Sequence, residues 1–246
     1  MIKFGLIGYP LVHSFSKKYF NKKFDNENIK NVCYQNYELK NISELKSIIE
    51  ENPNLRGLNV TIPYKEEVIK YLDKIEEKYL NIGAVNVIKI IDNKLFGINT
   101  DYEAFRITLK TWLNTNFNSK ALILGTGGSS KSVSLALKEL NIDYNFVSRT
   151  KRKNVLSYED LSDIDIISNY KLIINTTPLG MYPKTNLSPN IPYKLITKNY
   201  YLYDLVYNPE MTQFLEKGKR KEAKIKNGLE MLHLQAELSW NYWNKK

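Results

Sequence analysis

The chain is poor in the residues that hold metals and cross-links. One cysteine, Cys33, and two histidines, His13 and His233, are all that its 246 residues supply. No intramolecular disulfide can form, and no His/Cys set has the spacing of a metal site. Cys33 lies in VCYQNYEL, which alternates like a strand, so a buried structural thiol is expected rather than a nucleophile. No stretch approaches the roughly 20 apolar residues that cross a bilayer. The opening MIKFGLIGYP lacks the apolar core and cleavage site of a signal peptide. These absences argue against disulfide-stapled, metal-centred and membrane classes, and a cytoplasmic protein is expected.

What is present suits a globular enzyme. At 43% hydrophobic, the chain can bury a core and is long enough for two modest domains. Its net charge of +10 fits a nucleic-acid-binding module, since basic patches neutralise phosphates. However, the densest basic run, EKGKRKEAKIK, carries no interleaved aromatics. A solvated face with a bias toward small anions is the better reading.

Strand-like and helix-like stretches alternate, the pattern of α/β layers. KFGLIG, VCYQNYEL and RGLNVTI read as strands, with helices expected near 15–25 and 42–51. NVIKIIDNKLFGINT reads as a hairpin turning at Asp92-Asn93, followed by a helix over 102–113. No repeat or low-complexity tether interrupts the chain, so the domain boundary is expected in a helix, near 101–112. The last helix, LEMLHLQAELSWNYW, places Leu232, Gln235, Ala236, Ser239, Trp240 and Trp243 on one stripe. A buried Gln235 amide needs partners, either structural groups or a substrate oxygen.

ALILG followed by GTGGSS reads as a strand turning through a glycine loop into a helix, with Val133, Ala136, Leu137 and Leu140 at apolar spacing. Gly125 permits the tight turn. Gly127 lets backbone N–H groups approach a pyrophosphate at the helix N-terminus. Ser130 stands for the third glycine of the dinucleotide fingerprint, a pattern that is weak alone and gains weight from its setting. The next strand ends in SRTKRK, where an acid would bind the ribose diol of NAD. Arg149 would instead face a 2′-phosphate, with Thr150 as a hydroxyl donor and Lys151, Arg152 or Lys153 nearby. That points to NADP, against the blander reading of a solvated basic turn.

In NVTIPYKEE, alternation puts Asn59 and Thr61 on one strand face. Pro63 is expected to open a helix, with Lys65 in its first turn, where the dipole disfavours a cation. A lysine of reduced proton affinity suits proton transfer. In GINTD, Gly97, Asn99 and Asp101 are expected on one strand face. Asp101 is either that lysine's partner or an ordinary helix-entry acid, and Thr100 with Glu103 reads as a capping box.

These motifs together resemble the shikimate dehydrogenase family from end to end. GYPLVHSFS, NVTIPYK, GAVN, GINTD, GTGGSSK, SRT, NTTPLGM, DLVYNP and GLEMLHLQ occur in the family's order. Each motif alone is weak, and nine in sequence are not. The resemblance implies a two-domain α/β fold: an N-terminal α/β substrate domain (1–101 plus 228–246), a Rossmann-like NADP-binding domain (102–227), a C-terminal helix packing back on the first domain, and an active site between them. It implies NADPH-dependent reduction of 3-dehydroshikimate to shikimate, in aromatic amino-acid biosynthesis. Ser14 and Ser16 would hold the substrate carboxylate, and Asn59, Thr61, Asn86 and Asp101 the ring oxygens. Lys65 would supply the proton, oriented by Asp101, and Tyr207 and Gln235 would close the site. Gly125, Thr126, Gly127, Gly128, Ser129, Ser148, Arg149, Thr150, Lys153, Thr176, Met181 and Gly228 would contact NADP, with Asn175 also toward the nicotinamide.

Departures from the family pattern are Lys17 where proline is common, Ser148 for asparagine and Val87 for threonine. His13 is read as structural. A monomer or homodimer is expected, with no nucleic-acid partner. The alternatives are a quinate/shikimate dehydrogenase with relaxed cofactor use and a non-catalytic nucleotide-binding relative.

Overall fold

Apolar and β-branched stretches of the first hundred residues pair into a six-stranded mixed sheet. The computed structural model describes residues 1–11 and 14–245, so the reading of His13 lies outside the described residues. By contacts the chain divides into two units, Met1–Thr100 with Gln235–Lys246, and Asp101–Leu234.

The first unit runs β1 (Ile2–Gly8), α1 (Phe15–Asn26), β2 (Val32–Glu38), α2 (Leu45–Glu51), β3 (Leu55–Val60), β4 (Lys74–Ile75), α3 (Glu77–Leu80), β5 (Val87–Ile91) and β6 (Lys94–Ile98). Its sheet order is β2-β1-β3-β5-β6-β4. β1 pairs in parallel with β2 and β3, whereas β5 is antiparallel to both β3 and β6. The β5–β6 hairpin turns through Asp92 and Asn93, at φ 48° and 60°, the left-handed pair that a two-residue hairpin requires and that Asp and Asn tolerate. One sheet face buries Ile7, Leu58 and Val60 with Leu39, Ile42, Leu45 and Val68.

The opposite face carries Phe4, Tyr34, Gly57 and Asn59, and is covered by Phe20 and Phe24 of α1 and by Trp240 and Trp243 near the C-terminus. Gly57 is obligatory there, because a Cβ would run into the Trp243 indole. That indole N–H donates to the Ile88 carbonyl at 2.9 Å. Cys33 in β2 is half-buried rather than buried.

Two local expectations change. β3 stops at Val60, so Thr61 lies past the strand, although its N–H still donates to the Ile7 carbonyl at 2.9 Å. Pro63 opens no α-helix; residues 62–66 form turns, and a short 3-10 helix follows at Glu67–Tyr71. The cause is long-range. The Lys65 carbonyl accepts from the Val85 N–H at 2.7 Å and is lost to any helical ladder.

α4 (Thr100–Trp112) starts on the last residue of the first stretch and leads into the second unit, which continues β7 (Lys120–Leu124), α5 (Gly128–Glu139), β8 (Tyr144–Ser148), β9 (Val155–Ser157), α6 (Ile164–Ile167), β10 (Tyr170–Asn175), β11 (Tyr201–Asp204), α7 (Gln213–Lys219) and β12 (Lys224–Lys226). Its six strands are all parallel, in the order β12-β11-β10-β7-β8-β9. Counted from β7, this is the 3-2-1-4-5-6 order of dinucleotide-binding folds, whose strand order reverses at β7/β10. Leu122, Leu124, Val147, Ile173, Leu202 and Phe214 fill its core. The last helix, α8 (Leu229–Asn244), begins in this unit and ends in the first. Among the described residues no helix is long and apolar enough to cross a membrane.

Candidate functional site

In the first unit the polar residues singled out in the sequence meet on the ring-covered sheet face. Asn59 is 5% exposed. Its Oδ1 accepts from the Tyr34 hydroxyl at 2.7 Å, and its Nδ2 donates to Ser239 Oγ at 3.0 Å and to the Asn86 carbonyl at 3.4 Å. Ser239 passes its own proton to the Gln235 carbonyl at 2.7 Å. The Ser16 hydroxyl, in the first turn of α1, lies beside the Tyr34 phenol. Burial pushes Tyr34 well above the ordinary tyrosine range, and the Ser16 contact opposes this only partly. Tyr34 is therefore a neutral donor at any working pH. Ser14 is the N-cap of α1, and its Oγ accepts from the Lys17 N–H at 3.3 Å. The cap uses a lone pair, which leaves the hydroxyl proton to donate.

Asn86 faces Thr100. Its Oδ1 accepts the Thr100 N–H at 2.7 Å, and its Nδ2 donates to Thr100 Oγ1 at 3.0 Å. Thr100 Oγ1 also lies 3.3 Å from Ser239 Oγ. The expected capping box is therefore replaced: the Thr100 hydroxyl is held by Asn86 and Ser239, while Glu103 receives Arg106 at 2.6 Å. Asp101 is not on a strand, because β6 ends at Ile98. It is the second residue of α4 and is 8% exposed. Asn99 is tied down separately, its Nδ2 donating to the Ala84 carbonyl at 2.8 Å.

Lys65 is half-buried in the turn that follows β3. Its placement at a helix end does not hold, and what fixes its backbone is the Val85 bond, one residue before Asn86. Thr61 is half-buried. Gln235 is buried on α8 together with Ala236, Ser239 and Trp243, as the stripe predicted. In the second unit, Tyr207 is half-buried in the loop after β11, and burial raises its phenol pKa.

The glycine loop joins β7 to α5. Gly125 has φ 110°, and a Cβ there would press on the Thr176 hydroxyl at 2.8 Å. Thr176 donates to the Leu124 carbonyl at 2.7 Å, so it closes the turn from β10. Gly127 is the N-cap of α5, and a Cβ there would meet nothing within 4 Å. The Cβ side of Gly127 is thus open, and the Gly128 and Ser129 amides that follow Thr126 and Gly127 lack intrahelical acceptors, whereas the Ser130 N–H donates to the Gly127 carbonyl at 3.0 Å. Ser130 is buried and donates to the Gly127 carbonyl at 2.6 Å. It braces the loop where a third glycine is usual.

β8 ends at Ser148, whose Oγ accepts from the Thr150 N–H at 3.2 Å. Arg149, Thr150, Lys151, Arg152 and Lys153 are exposed beyond it. Lys151 is drawn to Asp160 at 3.3 Å, which separates it from the other cations. Met181 is 42% exposed. Gly228 has a local reason to be glycine, since a Cβ there would collide with the Leu205 carbonyl.

Three buried polar groups carry no site role in the sequence reading: Tyr34 and Asp204 are not singled out there, and Thr100 reads only as a capping box with Glu103. Asp204 is fully buried at the end of β11, where Thr212 Oγ1 (2.6 Å), Asn175 Nδ2 (2.9 Å) and the Val206 N–H (3.0 Å) bind its carboxylate. Burial raises its pKa to about 6, against these hydrogen bonds. A carboxylate inside the apolar run YLYDLV was the available signal.

Comparison with known proteins gives concordant results. Residues 6–88 match the model of the shikimate dehydrogenase substrate binding domain. The NADP(+) shikimate dehydrogenase of Methanococcus vannielii is 38% identical, over 97% of this chain and 90% of that protein. That of Clostridium beijerinckii is 37% identical over 98% and 92%. Among solved structures, shikimate dehydrogenase 1 of Peptoclostridium difficile superposes with a TM-score of 0.86 at 38% identity, covering 99% of this chain and 91% of that one. The Thermus thermophilus enzyme in complex with NADP(H) and shikimate gives 0.85 at 28%, covering 99% and 94%.

Proposed function

The chain belongs to the shikimate dehydrogenase family, and from that premise we propose how its residues carry out the NADPH-dependent reduction of 3-dehydroshikimate to shikimate. The activity is that of an NADP-dependent oxidoreductase of the shikimate pathway. The observation that carries it is the likeness to NADP(+) shikimate dehydrogenases over 97% of the chain. Residues 1–101 with 228–246 serve as the substrate-binding domain and 102–227 as the NADP-binding domain, a division supported by the substrate-domain match at 6–88.

NADPH supplies the hydride, and the chain supplies everything else. The open side of Gly127 and the first turn of α5 suit the pyrophosphate. Arg149, with Thr150 and Lys153, suits the 2′-phosphate through charge-assisted hydrogen bonds. Ser148, Thr176, Met181 and Gly228 complete the cofactor contacts, Thr176 and Gly228 by holding backbone in place. Ser14, whose cap uses a lone pair of its hydroxyl, and Ser16 bind the substrate carboxylate. Asn59, Thr61 and Asn86 receive the ring oxygens, and Tyr207 and Gln235 close over them.

The reduced ketone becomes an alkoxide and needs one proton. Lys65 gives it and Asp101 orients both the ammonium and the substrate hydroxyl. Positioned general acid catalysis of this kind is worth about 10²–10⁴ in rate. The case for Lys65 rests on its turn directly after the Asn59 strand and on its family motif, not on a helix dipole. We also place the enzyme in the cytoplasm, as a monomer or homodimer.

The test is an initial-rate assay of nicotinamide reduction with shikimate or quinate, each with NADP or NAD. Turnover of shikimate with NADP well above the other three combinations is expected. Absence of shikimate turnover, or equal use of NAD, would overturn the reading.

A further inference from the structure

The bonds around Asn59 leave only one consistent arrangement of protons. Ser239 gives its proton to the Gln235 carbonyl, so toward Asn59 it can only accept. The Asn86 carbonyl beside it is also an acceptor. The Asn59 amide nitrogen must face those two, its oxygen must face Tyr34, and Tyr34 must donate. One buried phenol, 1% exposed, therefore orients the Asn59 amide on β3 and leaves the second lone pair of its Oδ1 to accept from a further hydroxyl. Its ring is clamped by stacking on Phe20 (4.6 Å between centroids, 13° between planes).

We propose that Tyr34 is a positioning residue for substrate binding, fixing the rotamer of Asn59 and the direction of its amide oxygen before substrate arrives. This rests on the assignment of Asn59 to the substrate made above. Pre-orienting that group removes an ordering cost that binding would otherwise bear. Tyr34 itself touches neither substrate nor cofactor in this scheme. Its effect belongs in the shikimate KM, not in turnover and not in the NADP constant.

The experiment is steady-state kinetics of Tyr34→Phe with shikimate and NADP, alongside thermal melting. Phenylalanine keeps the ring and its stacking and removes only the hydroxyl. The shikimate KM is expected to rise by about 10-fold, the scale of one misplaced hydrogen-bonding group. Turnover and the NADP KM should stay within about twofold.

Asn59→Ala should then cost less in the Tyr34→Phe background than alone, since the two share one interaction. A lowered melting temperature with an unchanged shikimate KM would show a purely structural hydroxyl and overturn the proposal, as would a fall in KM or strict additivity with Asn59→Ala. Should Tyr34→Phe not fold, Ser239→Ala, which unfastens Asn59 from its other end, decides the matter. A raised shikimate KM supports the positioning role and an unchanged one refutes it. A wild-type enzyme inert toward shikimate would refute the functional reading instead, before any variant is made.

Discussion

Asn86 grips Thr100 at two points, taking its N–H on Oδ1 at 2.7 Å and giving an Nδ2 proton to its hydroxyl at 3.0 Å. Both ends of a buried amide thereby engage the first residue of α4, with the second Nδ2 proton left over, and the next residue in the chain is Asp101. The Asn86 backbone also joins the sheet, its carbonyl accepting from Val60 at 2.8 Å and its N–H donating to Ile98 at 3.2 Å. One residue thus sets the register of the segment that leads into α4.

Asn86→Ala should leave the Thr100 N–H without its acceptor in a buried site. A loss of about 1–3 kcal/mol in urea unfolding is expected. Asn86→Asp, which keeps the acceptor, should recover part of it. Equal stability of the two variants would contradict the clamp.

Lys65→Ala should reduce turnover at saturating substrates by about 10²–10⁴, with the shikimate KM little changed and circular dichroism showing a folded chain. Asp101→Asn should behave likewise. The double variant should be scarcely worse than either single one, because a proton transfer can be removed only once. A folded Lys65→Ala enzyme of near wild-type turnover would refute the assignment.

Arg149→Ala should weaken NADP far more than NAD. Loss of one charge-assisted contact corresponds to roughly 10- to 150-fold in affinity, measured as the ratio of the two cofactor KM values. Lys151→Ala should change that ratio much less, since Lys151 is engaged with Asp160. Parallel losses for both cofactors would place the 2′-phosphate elsewhere.

Asp204 predicts a pH dependence of stability. Its pKa lies near 6 in the folded chain against an ordinary value of 3.8. Between those values the folded state holds a proton that the unfolded state has released, so this group stabilises the fold in acid and its contribution is lost as pH rises through 6. The slope it adds is at most about 1.4 kcal/mol per pH unit. In Asp204→Asn, unfolding between pH 4 and 6 should lack that component. Identical slopes for the two proteins would show that the carboxyl is not held up by burial.

Much of this architecture was legible because its signals are local. Asp92-Asn93 announces a hairpin through the left-handed backbone that both residues tolerate, and GTGGSS announces a strand-to-helix turn by its glycines and the apolar spacing behind it. The misread segment shows the limit. Pro63 favours a helix start, yet the Lys65 carbonyl is claimed by Val85, twenty residues ahead, and no local pattern encodes that. Tyr34 was not singled out for a similar reason, since nothing local in VCYQNYEL shows that its hydroxyl reaches Asn59, 25 residues on. Lys151 could not be told from Lys153, because the partner that separates them, Asp160, sits on the following turn.

The first unit is discontinuous, with its ring-covered face completed by residues 235–246, and this bears on the order in which a growing chain can fold. Synthesis delivers residues 1–100 first, but the groove over Gly57 that receives Trp243, and the Ser239 hydroxyl that receives the Asn59 amide, are matched only when the last helix emerges. The second unit, contiguous in sequence, has every strand of its sheet in hand before that moment. The domain made second is therefore able to settle first, and the domain made first stays open on one face until α8 has been made.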